Sequence, residues 1–306
     1  MASNGSTSTP GTRLMPFLAI LRHDLRSLTS TWLMRLWLIA TAVLTMVVAL
    51  SSWDRFQTAP MIASLLFPYL VFPWFLVVMV LGISPVSGSR AEALADGILS
   101  RPVTRYEYLL ATWSARVLVV LGVYLVVLIP AIWLLSRLER PVPEDSVTLY
   151  GMCGALGVVG LVLTFQVSLA FLLGTVLRTP ILTMVVLLFL WYPVNGILNG
   201  FQLEEFSPLS LSQAIPTLLR QPWSEAEKDV PEEITDEDME ALARQAQQFL
   251  SILGGGQPPK QAPAEAPFFD REEFEDFSLT RVVLAYGGLT VLAVVLATVC
   301  FCRRDL

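Results

Sequence analysis

Charge is scarce in this chain. Of its 306 residues, 15% are charged, against about 25% in an ordinary soluble domain. Histidine occurs once, as His23, which excludes a histidine-based metal cluster or catalytic dyad built within one chain. Lysine occurs only as Lys228 and Lys260, and neither follows a glycine. A Walker A loop needs Gly-Lys-[Ser/Thr] to cradle phosphates, so the chain is not itself a P-loop ATPase. The three cysteines, Cys153, Cys300 and Cys302, fall inside or at the edges of apolar stretches. Their expected role is apolar packing, not disulfide or metal chemistry. No acidic or basic residue sits at the middle of an apolar stretch, which argues against proton- or ion-coupled transport. The same stretches offer no paired carboxylates and no metal set, which argues against an intramembrane enzyme.

Apolar residues make up 54% of the chain, and mean hydropathy is +0.62. They are blocked, not periodic. Uncharged runs cover 36–53, 61–83, 117–136, 147–177, 181–201 and 282–302. A run of about 18 apolar residues reads as a spanning helix, because a helix satisfies its own backbone groups in hydrocarbon. The fold class is therefore an all-α polytopic membrane protein with six spanning helices.

Short-loop arginines set the orientation. Arg13, Arg22, Arg26 and Arg35, then Arg90, Arg101, Arg105 and Arg116, then Arg178, then Arg303 and Arg304 fall on one side. Arg55, Arg137 and Arg140 on the other are diluted by Asp54, Glu139, Glu144 and Asp145. Both termini are thus expected in the cytoplasm. Residues 199–280 hold 17 acidic and 5 basic side chains, a net of −12, while the whole chain carries −6. The membrane body is basic and one long exported loop is acidic.

The expected organisation follows. Residues 1–14, Ser/Thr/Gly-rich, form a disordered cytoplasmic tail without a secretory signal. Residues 15–31 form an interfacial amphipathic helix: Phe17, Leu18, Leu21, Leu25 and Leu28 share a face, with Arg22, His23 and Arg26 elsewhere, suited to anionic membrane lipid. Residues 32–198 hold spans one to five and a cytoplasmic loop, 84–116. Residues 199–280 are the external loop, with short helices expected at 210–220 and 235–253. Residues 281–306 are the last span and a cytoplasmic end. Prolines 68, 73 and 130 are expected to bend their spans. Gly151, Gly154, Gly157 and Gly160 make a stripe for close helix approach. Gln166, the most polar residue deep in a span, is expected to bond a neighbouring helix. Trp191 and Tyr192 suit an interfacial belt, and Pro193 a bent or re-entrant segment.

The loop 84–116 is too long for a simple turn. Residues 89–99 read as a short helix, Ser100-Arg101-Pro102 as a break, and Thr104 as the cap of a second helix with Glu107 in its first turn. That helix runs on into the third span through Arg116. Such a hairpin at the membrane surface is a handle that a partner's groove can grip, moving both attached spans. The plainer alternative is a basic connector.

The pattern Arg90-x-Glu92, then Gly97-Ile98-Leu99-Ser100-Arg101-Pro102-Val103-Thr104-Arg105-Tyr106-Glu107-Tyr108-Leu109-Leu110, resembles the cytoplasmic loop of the type-2 ABC exporter permease family. So do the interfacial helix, the six spans and the ending Phe301-Cys302-Arg303-Arg304-Asp305-Leu306. The long external loop before the last span is similar to the subgroup that includes nitrous-oxide-reductase maturation permeases. Thr112-Trp113 is a departure, since many relatives carry a lysine there. The resemblance implies a membrane-spanning subunit of an ATP-driven exporter, in the cell membrane, working as a homodimer. It implies a separate ABC ATPase subunit that binds ATP and Mg, with no cofactor in this chain and no nucleic-acid partner. It implies ATPase coupling through Arg90, Glu92, Asp96, Arg101, Pro102, Arg105, Tyr106 and Glu107. The alternative is a non-transporting membrane anchor that recruits a partner through its external loop.

Overall fold

The computed structural model of the chain describes residues 10–53, 56–83, 104–138, 147–177, 179–200, 207–221 and 278–303. Among the described residues every regular element is a helix: α1 (Pro10–Ser30), α2 (Trp32–Ser52), α3 (Thr58–Leu70), α4 (Trp74–Ile83), α5 (Arg105–Leu135), α6 (Leu149–Val176), α7 (Pro180–Gly200), α8 (Pro208–Leu219) and α9 (Leu279–Arg303). Five segments are long and apolar enough to cross a membrane: α2, the α3–α4 pair taken as Thr58–Ile83, α5, α6 and α9. Helix α7 adds a shorter apolar stretch, Pro180–Pro193. The chain is a polytopic all-α membrane protein.

Local chemistry explains the breaks. Helix α1 starts at Pro10, inside the segment expected to be a disordered tail, because proline at the first helical position has a preset φ and no amide to waste. At Thr31 the backbone turns extended (φ −68°, ψ 144°) and the side chain accepts from the Met34 amide at 3.4 Å. That N-cap separates α1 from α2. The second span is two helices: Pro68 stays inside α3, and the interruption falls at Val71–Pro73. Pro130 and Pro193 sit within continuous helices, so Pro193 does not open a separate segment. Most of that helix's other donors and acceptors are intact, which lets a single proline be carried.

Helix α6 is the hub. It packs against α9 and α4 most extensively, and also against α5, α8, α7 and α3. Its glycines serve different neighbours. A Cβ on Gly151 would run into the backbone carbonyls of Leu218 and Leu219 on α8, one on Gly154 would touch the Leu218 and Leu279 methyls at 3.5 Å, and one on Gly160 would meet Leu121 of α5 at 3.5 Å. Gly157 faces open space. Tyr69 and Tyr124 meet edge to face at 5.0 Å, and the Tyr124 hydroxyl donates to the Leu156 carbonyl at 3.1 Å.

Three expectations need correction. Trp191 is not a belt residue; it is buried and stacked on Phe75 at 4.7 Å, because α7 turns this ring toward α4. The cysteines are not packing residues; Cys153, Cys300 and Cys302 are free and on exposed faces, where the helix period directs them away from the core. Gln166 is buried as expected, but neither amide atom has a hydrogen-bond partner among the described residues. The expected helix at 210–220 appears as α8, and it is packed into the bundle: Leu211, Ile215, Leu218 and Leu219 are buried against α3 and α6. The expected helix at 235–253 lies outside the described residues.

Candidate coupling site

Helix α4 ends at Ile83 and α5 begins at Arg105. Of the residues expected to couple, Arg90, Glu92, Asp96, Arg101 and Pro102 lie between them, outside the described residues. Arg105, Tyr106 and Glu107 form the first turn of α5. Thr104 is extended (φ −77°, ψ 147°), and its amide donates to Glu107 Oε2 at 3.1 Å. This is the reach-back half of a capping box, which fixes where the helix starts and holds a carboxylate at its positive end. Tyr106 is half exposed at 50%. The expected cap and first turn are thus in place, with an aromatic ring held outward on a helix that continues through the membrane.

The next turn ties the site to the body. Tyr108 lies beside Phe301 with centroids 6.5 Å apart. Leu109, Phe171, Ala297 and Phe301 make a buried cluster of their own, so the start of α5 is joined to the ends of α6 and α9. One turn on, Trp113 Nε1 donates to Ser168 Oγ at 2.9 Å.

Two further residues were missed from sequence. Arg116, counted there as a loop arginine, is buried, with 5% exposure. Its Nε donates to the Leu81 carbonyl and its Nη1 to the Thr112 carbonyl, both at 2.8 Å. Leu81 belongs to the last turn of α4, where carbonyls have no partner within the helix and the dipole is negative. Arg116 therefore caps α4 from α5. Asp24 of α1 is half-buried on the side by which that helix packs along α5. The signal for Arg116 was its place at the edge of an uncharged block. For Asp24 it was the stripe of α1 itself. Pro16, Phe17, Ile20, Leu21, Asp24, Leu25 and Leu28 are the partly buried positions, while Leu18, expected on that face, is exposed. Spacing of three and four residues defines the stripe, and Leu18 falls at its edge. Helix α1 uses it to pack along α5.

The arrangement holds a cation between the helix-end carbonyl of Leu81 and the Thr112 carbonyl of its own helix. What the described residues fix is the relative position of helices. A model of the ABC-2 family transporter protein matches residues 96–306, most of the chain. The chain belongs to the ABC-2 transporter family. No curated protein matches it significantly. This ABC-2 chain is accordingly a permease component of an ABC transporter and a multi-pass membrane protein, a transport part and not a catalytic one. The match begins within the loop and runs through α9.

Proposed function

We propose that the chain is the membrane-spanning subunit of an ATP-driven exporter, coupled to a separate ABC ATPase through residues 84–116. The observation that carries this reading is the capped first turn of α5, which displays Tyr106 outward on the same helix that spans the membrane. The family match supports it, since it begins at residue 96. The energy source is a partner, because neither lysine stands in a phosphate-binding loop. ATP and Mg bind that partner. Closure of two ATPase subunits pushes the loop, and the spans shift between inward- and outward-open states. Arg90, Glu92, Asp96, Arg101, Arg105 and Glu107 supply charged contacts, Tyr106 an apolar one, and Pro102 the break between the two arms. Two copies of the chain form the membrane unit, in the cell membrane, with both termini cytoplasmic.

The test is affinity purification of the tagged chain from its native membrane. Wild type brings down an ABC ATPase whose activity rises on assembly. Arg105→Glu with Tyr106→Ala loses about tenfold or more of that association, the scale of a few kcal/mol at an interface hot spot. Full retention of assembly and stimulated activity in the double variant would reject the reading.

A further inference from the structure

We propose that the interruption of the second span at Val71–Pro73 is a hydrated joint. Water held inside the bilayer bridges the end of α3 to the start of α4, and the two halves of the span bend there. The inference goes beyond the coupling role and does not depend on it.

The break lies midway along Thr58–Ile83, where hydrocarbon offers no partner to a bare backbone group. Pro73 has no amide, so the Tyr69 carbonyl loses the donor that a continuous helix would supply four residues on. Among the described residues no amide reaches the Pro68 or Leu70 carbonyl either; the last backbone bond of α3 runs from Val71 to Phe67 at 3.1 Å. Beyond the break, Leu76 donates to the Pro73 carbonyl at 3.2 Å, while the Trp74 and Phe75 amides meet no carbonyl among the described residues. Pro68, Tyr69, Leu70, Trp74 and Phe75 are all buried. Buried backbone groups are almost always paired, with water where protein does not serve.

Side chains do little of that work here. The Tyr192 hydroxyl reaches the Val71 carbonyl only at 3.5 Å, the outer limit of a hydrogen bond. Thr41 gives its hydroxyl to the Trp37 carbonyl of its own helix at 2.6 Å. Trp37 itself adds one more unpaired group. Its ring stands edge-on to Trp74, the first residue of α4, with centroids 6.4 Å apart. It is 3% exposed, and its Nε1 has no partner among the described residues. The carbonyls that end α3 carry the negative end of a helix dipole, and the amides that open α4 carry a positive end. A cation suits the first and opposes the second; an anion does the reverse. A small neutral molecule that both donates and accepts suits the two ends and the indole together, and that molecule is water. Bridging water replaces rungs of the helical ladder, so the span kinks where it sits. The halves also answer to different neighbours: α3 packs most extensively on α8, and α4 on α6. The α4–α6 contact is close, since a Cβ on Gly82 would overlap Ala170. The joint therefore separates a half held by α8 from a half that leads into the loop 84–116.

The experiment uses the full chain in lipid nanodiscs and residue-resolved hydrogen–deuterium exchange. The Phe72, Trp74 and Phe75 amides should exchange about a hundredfold or more faster than those of residues 120–128, in the unbroken middle of α5. Equal protection at the two places overturns the proposal. This measurement on the parent decides the water by itself, whether or not a variant folds. In Pro73→Ala an amide returns opposite the Tyr69 carbonyl, and exchange at Trp74 and Phe75 should slow by about tenfold or more. Unchanged exchange there rejects the broken ladder as the reason water enters. The bend is read by pulsed electron resonance, with Cys153, Cys300 and Cys302 replaced by serine and spin labels at the exposed positions Leu50 and Val80. That pair measures the inner half of the second span against α2. Its distance distribution should narrow about twofold in Pro73→Ala, as expected when a kink is made continuous. Equal widths reject the hinge. Neither readout involves a partner, so failure of ATPase association would reject the coupling role and leave the joint to be decided by exchange and distance.

Discussion

Gln166 shows how a single side chain in a bilayer protein sets its own test. It is buried on α6, and neither amide atom is bonded among the described residues. A polar group buried without a partner costs about 1–3 kcal/mol, and an apolar replacement of similar shape recovers that cost. Gln166→Met keeps the length and discards the amide. Its apparent melting temperature in detergent is expected to equal or exceed that of the parent by a few degrees, about 1–3 kcal/mol of relief. A fall of several degrees would show that the amide has a partner that holds α6 in place. The depth of Gln166 was legible from its position in an uncharged run, but its lack of a partner was not, because periodicity reports a face and says nothing of what lies opposite. Arg116 teaches the same lesson with the opposite sign. Sequence placed it at a membrane edge with other arginines, whereas its partner on α4, Leu81, is 35 positions away in the chain.

At the scale of an element, α8 is the clearest departure from expectation. Composition made residues 199–280 one acidic exported loop, and their net of −12 hid a segment, Pro208–Leu219, with no charge at all. That segment docks by backbone. The Thr148 amide donates to the Leu219 carbonyl at 3.0 Å, the Thr148 hydroxyl donates to the Gln221 carbonyl, and the same oxygen accepts from the Gly151 amide at 3.0 Å to cap α6. Arg220 Nη2 reaches Gln57 Oε1 at 3.2 Å, beside the start of α3. Gly151 is what permits the approach, since a Cβ there would overlap the α8 carbonyls. Gly151→Ala is therefore expected to cost about 1–3 kcal/mol by overpacking, seen as a melting temperature several degrees lower and faster thiol labelling of a Leu218→Cys probe. Gly157→Ala is the control: nothing lies within 4 Å of the added methyl, and alanine gains up to about 1 kcal/mol of helix propensity over glycine. Equal behaviour of the two variants would mean that α8 does not sit on Gly151. The glycine stripe was legible as a packing surface, but the identity of its neighbours depended on long-range docking that no local pattern encodes.

Over the whole molecule, hydropathy alone exposed the spanning segments, since bilayer thickness imposes a length that a sequence must display. It also supported one sidedness, through the arginine count of the short loops. The exposed face of α1 and the start of α2 carry Arg22, His23, Arg26 and Arg35 with Trp32 between, a combination that suits anionic headgroups at about 1 kcal/mol per basic residue near the surface. The same sign governs Thr104, which caps α5 beside Arg105, while Leu138 lies just past the other end of that helix, before a mixed-charge connection. In a chain whose own cysteines are replaced by serine, a single cysteine at Leu138 should react with an impermeant maleimide added to intact cells, and one at Thr104 should react only after the membrane is opened. Both positions are exposed in the bundle, so burial cannot imitate protection by the membrane. The reverse pattern would place the capped turn and the Arg116 junction on the outer face, beyond reach of any cytoplasmic ATPase, and the coupling role would fall with the orientation.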